Sequence, residues 1–389
     1  MLFLLSFIIL ASVPAVIGQN LTYLTGLLQT LNASGLTQLA SVAPSLNNTP
    51  SGQRILSTLP QGNWTLFAPN NAAFGALSST DTGNTTFLTD TISYHIVSGN
   101  FTNETASYPN VTIGRTLLND SSLVMLEGNK SQVLSWTKLG NGTTAVLNQN
   151  MNVSVTNTTQ YENLEILVIE AVLIPPPNIT SILTNGAYNL TSLSPILSQA
   201  TLPGNTTTLL QALSSARGIT VFAPNNAALS AAQSTLTNLT SNITALSALL
   251  SNHVINGTSV YSPLISSSTN YTSAGGEPLM FTTNSSGTYV SSGGSSTARI
   301  VRSDILAENG VVHVLDGVLA DVQSNPSAAS SAYASATSIA AVSTTQTGPL
   351  GPTGGSASGS RSGGAIELEP SFQVGGGIAI LFSLLGQLA

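Results

Sequence analysis

Thr65-Leu-Phe-Ala-Pro-Asn-Asn-Ala-Ala-Phe74 returns 155 residues later as Thr220-Val-Phe-Ala-Pro-Asn-Asn-Ala-Ala-Leu229, with seven consecutive identities from Phe67 to Ala73. Composition bias does not produce such a run, so the chain reads as a duplication. Two further blocks keep the same order. Tyr94-His95-Ile96-Val97-Ser98-Gly99 is echoed by Asn252-His253-Val254-Ile255-Asn256-Gly257, and Val168-Ile-Glu-Ala-Val-Leu173 by Val314-Leu-Asp-Gly-Val-Leu319. The offsets drift between 146 and 158, as loop changes in two copies of one domain would make them.

The blocks have a local physical reading. In the first, Thr65 to Ala68 reads as the end of a buried strand, Pro69 fixes φ and stops the ladder, and Asn70 or Asn71 caps a following helix. Residues 309–319 open on Asn-Gly and run Val311-Val-His-Val-Leu-Asp-Gly-Val-Leu319, β-branched enough for a central strand. Leu21, Leu24, Leu28 and Leu31, three or four apart, predict a helix early in the first copy; Ile182, Leu190 and Leu193 repeat this less regularly in the second. Helices first and strands later predict an α+β domain of about 150 residues, large enough for its own core.

The three blocks resemble the fasciclin-type domain: the Phe-Ala-Pro-Asn-Asn-Ala-Ala box, the Tyr-His box, and a last strand Asn309-Gly-Val-Val-His-Val-Leu-Asp-Gly-Val-Leu319. The resemblance spans roughly residues 20–322. The first copy departs from it at Leu164-Glu-Ile-Leu-Val-Ile-Glu170, which lacks the Asn-Gly turn and the His, and the second lacks the Tyr before His253. The resemblance implies two tandem domains, 19–176 and 177–322, each a wedge-shaped β-sandwich with packed helices, and a role in adhesion or in organising a matrix or cell wall. Implied partners are matrix or cell-wall components, surface receptors or glycans. Arg302-Ser303-Asp304-Ile305-Leu306 resembles the Asp-Ile-Leu/Met segment through which some animal members are thought to engage integrins. The other reading of Asp304, Ile305 and Leu306 is structural, with two core residues and a strand-ending Asp.

Only 6% of the 389 residues are charged, against roughly 25% in ordinary soluble domains, while 54 Ser and 47 Thr supply hydroxyls. A net charge of −7 with eight scattered basic residues leaves no stripe to neutralise phosphates, which argues against nucleic-acid partners. Zero Cys excludes disulfides, thiolate metal sites and cysteine nucleophiles. Asn-x-Ser/Thr sequons number 21 among 33 Asn, where chance predicts roughly 9. They include Asn20, Asn32, Asn63, Asn84, Asn100, Asn110, Asn129, Asn141, Asn152, Asn178, Asn189, Asn205, Asn238, Asn256, Asn270 and Asn284. The excess predicts a secreted glycoprotein whose sugars replace the missing surface charge, with crowded neighbours such as Asn100 and Asn103 not both occupied.

The ends carry processing signals. Residues 1–18 read as a secretory signal peptide, or alternatively a membrane anchor. Residues 323–363, rich in Ser, Ala and Gly, predict a disordered, extended, O-glycosylated stalk. Small residues, a spacer with Glu367 and Glu369, and an apolar tail over 364–389 form the pattern of a glycolipid-attachment signal, with Ser362 or Gly363 as the attachment site and Ser358 and Ser360 as alternatives. An ordinary membrane helix is the competing reading of the tail. The expected location is the outer face of the plasma membrane or the cell wall, with the vacuole, where family members also occur, as the alternative.

Nothing in the sequence assembles a catalytic or cofactor motif: no Gly-x-Ser-x-Gly elbow, no phosphate loop and no His-Glu-x-x-His. The expectation is therefore a non-enzyme without cofactor or metal. His95 and His253 occupy equivalent places and read as hydrogen-bonded structural residues. His313 and Asp316, three apart on a strand, point to opposite faces. Glu162 and Glu165 read as a solvated pair at a domain edge, the alternative being one face of a helical turn.

Overall fold

The computed structural model describes residues 21–149, 151–202, 206–294, 296–342 and 346–351. Residues 1–18, expected as a signal peptide, residues 364–389, expected as an attachment signal, and Asn20, Asn205, Ser362 and Gly363 therefore lie outside the described residues.

The first module runs α1 (21–33), α2 (Thr37–Val42), α3 (Pro50–Thr58), β1 (Trp64–Pro69), α4 (Asn71–Gly75), α5 (Ser79–Gly83), α6 (Thr85–His95), β2 (Ile96–Ser98), β3 (Thr112–Arg115), β4 (Val133–Lys138), β5 (Thr144–Val146), β6 (Val153–Tyr161) and β7 (Leu164–Ile169). The second repeats the plan: α7 (Ile179–Thr184), α8 (Leu193–Gln199), α9 (Leu209–Ser215), β8 (Ile219–Pro224), α10 (Asn226–Ala231), α11 (Gln233–Thr240), α12 (Ile243–Ser251), β9 (Val254–Asn256), β10 (Asn270–Thr272), β11 (Pro278–Asn284), β12 (Gly287–Ser292), β13 (Ser296–Ala307) and β14 (Gly310–Leu315). A last helix, α13, spans Pro326–Ala341.

Each module holds one seven-stranded sheet, in the orders β2-β1-β7-β6-β5-β4-β3 and β10-β11-β12-β13-β14-β8-β9. The two ends of each sheet turn towards each other: Val97 bridges Thr116 in the first module, and the Ala274 amide donates to the Val254 carbonyl in the second. The box strand is parallel to the last strand in both, Phe67 beside Leu167 and Phe222 beside His313. Because both faces of these strands are covered, alternate residues enter two cores. Trp64, Leu66 and Ala68 pack with the helices, whereas Phe67 joins Trp136, Phe101 and Tyr94 inside the folded sheet. In the second module Ile219, Val221 and Ala223 meet the helices and Phe222 meets Phe281 and Val290.

Residues 21–33 are helical as the leucine spacing predicts, but the buried stripe is Tyr23, Leu27 and Leu31, and Leu21 is 67% exposed. The larger correction concerns the segment expected as an extended stalk. Its residues 326–341 form α13, Leu350 is buried, and the rest from residue 352 lies outside the described residues. Alanine, the strongest helix former, orders this segment without large apolar side chains, and its small side chain lets a helix approach a neighbour closely.

The two modules and the described residues up to 351 belong to one compact unit. Between the modules, the Met125 amide donates to the Glu308 carbonyl and the Gly218 amide to the Met125 carbonyl, at 2.8 and 3.0 Å. Gln132 Nε2 donates to the Ala307 carbonyl, and Ser259 Oγ donates to Glu127 Oε2, whose other oxygen pairs with Lys130. Ile113 and Val133 of the first module pack with Tyr261, Leu306 and Val311 of the second. No helix among the described residues is long and apolar enough to cross a membrane.

Candidate functional site

The repeated boxes use their polar atoms inside the fold. Asn70 and Asn225 cap the helices after the box strands, accepting from the amides of Ala73 and Ala228 at 2.9 and 2.8 Å. The next residue reaches back to an earlier helix. Asn71 accepts from the Gln38 amide and donates to Thr37 Oγ1; Asn226 accepts from the Ser192 amide and donates to Thr191 Oγ1. Phe67, Ala68, Phe222 and Ala223 are fully buried. The seven identities thus specify one strand-to-helix corner and its clamp, leaving little of the box for a ligand.

The paired histidines do the same work in both modules. His95 Nδ1 donates to the Thr91 carbonyl at 2.7 Å and Nε2 accepts from the Leu173 amide at 2.9 Å; His253 repeats this with the Leu249 carbonyl and the Leu319 amide at 2.8 and 2.9 Å. Each ring ties a helix end to the segment after the last strand. Burial disfavours the imidazolium and lowers both pKa values to about 4. A small apolar cavity lined by Leu39, Leu66, Phe74, Ile92 and His95 lies beneath the first ring.

Where the sequence shows a departure between the copies, the structure shows a shared device. Asn309 Nδ2 donates to the carbonyls of Leu213 and Ala216, and Asn163 Nδ2 to those of Leu59 and Gly62. The first copy lacks the Gly but keeps the Asn in the same role, clamping the chain just before its box strand. Aligning the two copies from one residue before Leu164, so that Asn163 meets Asn309, carries this signal.

Asp304, Ile305 and Leu306 are 2, 1 and 2% exposed. Ile305 belongs to the helix-side core of its module and Leu306 to the cluster between modules. Asp304, with φ +58°, accepts from the Ser262 amide at 2.7 Å and from its hydroxyl. The adhesion-segment expectation is therefore corrected: β13 carries these side chains inward, and a partner cannot reach them without opening that strand. His313 lies beside Asp304, accepting weakly from its amide at 3.4 Å through Nδ1 and donating to the Val260 carbonyl through Nε2. Ser, His and Asp thus meet, but Ser262 donates to the carboxylate and both ring nitrogens are engaged by backbone, so the three form no proton relay. Asp316 is exposed and accepts from the Arg299 amide, on the opposite side from His313 as strand alternation requires.

Glu162 and Glu165 are not a solvated pair. Glu162 occupies the β6–β7 turn with φ +47°, and Glu165 is a buried β7 residue with Oε2 unpartnered. Among the described residues, no three His, Asp or Glu are placed to hold a metal ion. Asp90 is raised to about 6 by burial and by the nearby Asp120. A carboxyl with a raised folded pKa favours the folded state when protonated, so its cost grows as pH rises from about 4 to about 6. Asp90→Asn is therefore expected to raise the melting temperature by a few degrees at pH 7.5 and not at pH 3.5; an equal gain at both pH values would refute this reading.

The sequons form the outward-facing chemistry. Asn20 and Asn205 lie outside the described residues; of the other 19 sequon asparagines, 18 are exposed and Asn256 is half-buried. Of the 11 described asparagines without a sequon, only Asn48, Asn71, Asn185 and Asn325 are exposed. The two groups also bond differently. Asn84, Asn119, Asn129, Asn178 and Asn242 accept through Oδ1 from Phe87 N–H, Arg54, Arg217, Ser181 N–H and Ala245 N–H. Asn100, Asn141, Asn157 and Asn284 likewise accept through Oδ1. Among the described residues, every asparagine Nδ2 that donates a hydrogen bond, at Asn71, Asn163, Asn226, Asn252 and Asn309, lies outside a sequon. Nδ2 is the atom a glycan is joined to, and an Oδ1 cap survives that bond.

Comparison with known proteins adds the following. The family model described as "Fasciclin domain" matches residues 22–175 and 196–321. A "Fasciclin-like arabinogalactan protein" of Arthroderma benhamiae is 26% identical over 294 residues, 74% of this chain and 65% of that relative, so the chain spans just under two thirds of its length. "Immunogenic protein MPB70" of Mycobacterium bovis is 30% identical over 149 residues, 37% of this chain and 67% of that relative. A solved structure titled as a FAS1 domain pair from the insect cell adhesion molecule Fasciclin I aligns over 74% of this chain and 98% of that chain, at 13% identity and a TM-score of 0.32.

Proposed function

Since the chain belongs to the fasciclin domain family, in two tandem copies, we propose that it is a surface glycoprotein that organises a matrix or cell wall, adhering through loops and sugars on a two-module head. The observation that carries this reading is the sequon asparagines: exposed in 18 of 19 described cases, with Nδ2 left unbonded. Weak contacts of this kind gain strength when many copies are displayed together. The match to a fungal fasciclin-like arabinogalactan protein supports the sugar-bearing surface reading. In this reading the partners are matrix or wall polysaccharides, glycans or surface receptors, and a glycolipid joined at Ser362 or Gly363 holds the protein at the outer face of the membrane.

Release of N-glycans in heavy-oxygen water, followed by peptide mass mapping, is expected to label sequon positions such as Asn63, Asn141 and Asn238 and to leave Asn71 and Asn185 unlabelled. A native protein bare of carbohydrate refutes the proposal. Beads coated with native or deglycosylated protein then separate the functions. Binding lost on deglycosylation assigns adhesion to the sugars, and binding retained assigns it to the loops. No binding by either form leaves a passive coat or spacer, a reading that the spread of sequons over both modules also supports. Release of intact protein by a phosphatidylinositol-specific phospholipase tests the anchor, and its recovery from vacuoles instead would move the site of action.

A further inference from the structure

The segment after the second module runs back across both modules. Its exit is held by the buried Asn252, whose Nδ2 donates to the carbonyls of Asp321 and Gln323 at 3.1 and 2.9 Å. The Asn325 amide then donates to the Gly275 carbonyl, and Asn325 Oδ1 caps α13 by accepting from the Ala328 amide at 3.1 Å. Along α13, the Tyr333 ring and the Ala336 methyl pack on Gly257 of the second module, while the Ala340 carbonyl rests on Gly128 of the first. Gly128 has φ +62°, and the space a side chain would take there is filled by Ala340, so only glycine serves. Beyond the helix, the Leu350 amide donates to the Ile113 carbonyl at 2.8 Å. The Leu350 side chain completes the cluster of Ile113, Val133, Tyr261, Leu306 and Val311 between the modules.

We propose that residues 323–342 and 346–351 act as a latch across the two modules, which releases before either module unfolds and uncovers the apolar seam. Two features set the order. The latch is held mainly by alanines, the exposed Tyr333 ring and one buried apolar side chain, with Ile339 and Val342 facing solvent at 67 and 78% exposure, whereas each module has two cores of its own. Its contacts also lie in series, so tension on the chain beyond residue 351 loads Leu350 first and then α13 turn by turn. The sheets are loaded only afterwards. Pull on whatever follows residue 351 is thereby delivered to the junction of the modules, next to Pro263 and Ile113.

The test is to stretch the full chain in an optical trap, held before residue 21 and after residue 351. The expected first event is a small reversible lengthening, on the order of 100 Å at most for 29 residues at full extension. It is followed by two module events of on the order of 500 Å each. Leu350→Asp is expected to lower the force of the first event at least twofold or to remove it, and Leu350→Met to keep it. In hydrogen exchange, Leu350→Asp is expected to speed the amides of Met125 and Gly218 at least tenfold while leaving those of Leu66 and Val221 protected. A first event that frees a whole module overturns the latch, as does a small event unchanged by Leu350→Asp. Loss of protection throughout both modules in Leu350→Asp also overturns it, because the segment would then be part of a core.

Discussion

Acidification from pH 7 to pH 4 is expected to destabilise each module by about 3 kcal/mol through a single histidine. An unfolded imidazole takes its proton near pH 6.5, but the buried rings of His95 and His253 resist protonation down to about 4. Between those values the unfolded chain binds more protons than the folded one, so stability falls with pH through that window and is level above it. His313, lowered by burial although Asp304 opposes this, adds in the same direction. Asp90 acts oppositely, since its folded pKa is raised to about 6; partly exposed and present in the first module alone, it offsets only part of the loss. Guanidinium unfolding at pH 7.5, 6, 5 and 4 measures the slope. Glutamine can supply the same donor and acceptor without titrating, so His95→Gln with His253→Gln should flatten most of the slope at a modest cost at pH 7.5. A double variant as acid-sensitive as the parent would remove the histidines from the account.

Trp136→Ala is expected to cost the first module about 3–5 kcal/mol, a large share of what a domain of this size possesses. Trp136 is fully buried on β4, with Phe67 at 5.2 Å and Phe101 at 4.9 Å between ring centroids in edge-on arrangements. Phe67 comes from the box strand at the opposite side of the folded sheet, so the indole joins its two halves. Gly114 leaves room for it, since a Cβ there would stand 3.0 Å from the ring. Removing the indole loses its transfer energy and leaves a cavity that the surrounding strands cannot close. Denaturant unfolding followed by tyrosine fluorescence and circular dichroism should show the first module melting well before the second. A midpoint within 0.5 kcal/mol of the parent would mean that this core relaxes more readily than its packing implies.

The repeat was legible because its demands are local. A proline that ends a ladder, an asparagine that caps the next helix and an Asn-Gly turn before a β-branched strand act within a few residues, so both modules could be placed from the boxes alone. Sequon exposure was legible for a related reason, because a polar residue beside a Ser or Thr in turns and helix caps stays at the surface. The fate of Asp304 was not. Asp-Ile-Leu has the composition of an exposed motif or of a core strand, and only the pairing of β13 with β14 and the approach of Ser262, 42 residues away, turn it inward. Glu165 misled similarly, its neighbours in sequence saying nothing of the strands on either side.

By itself, then, the chain announced two like modules, an exterior rich in exposed sequons and an interior free of cysteine chemistry, all properties written in short-range patterns and composition. What folding alone decided was which side chains face which module: that α13 docks instead of extending, that Leu350 closes the junction, and that the box asparagines spend their amides on clamps. Those outcomes depend on surfaces meeting across hundreds of residues, where an alanine is a contact only if a glycine such as Gly128 waits opposite it.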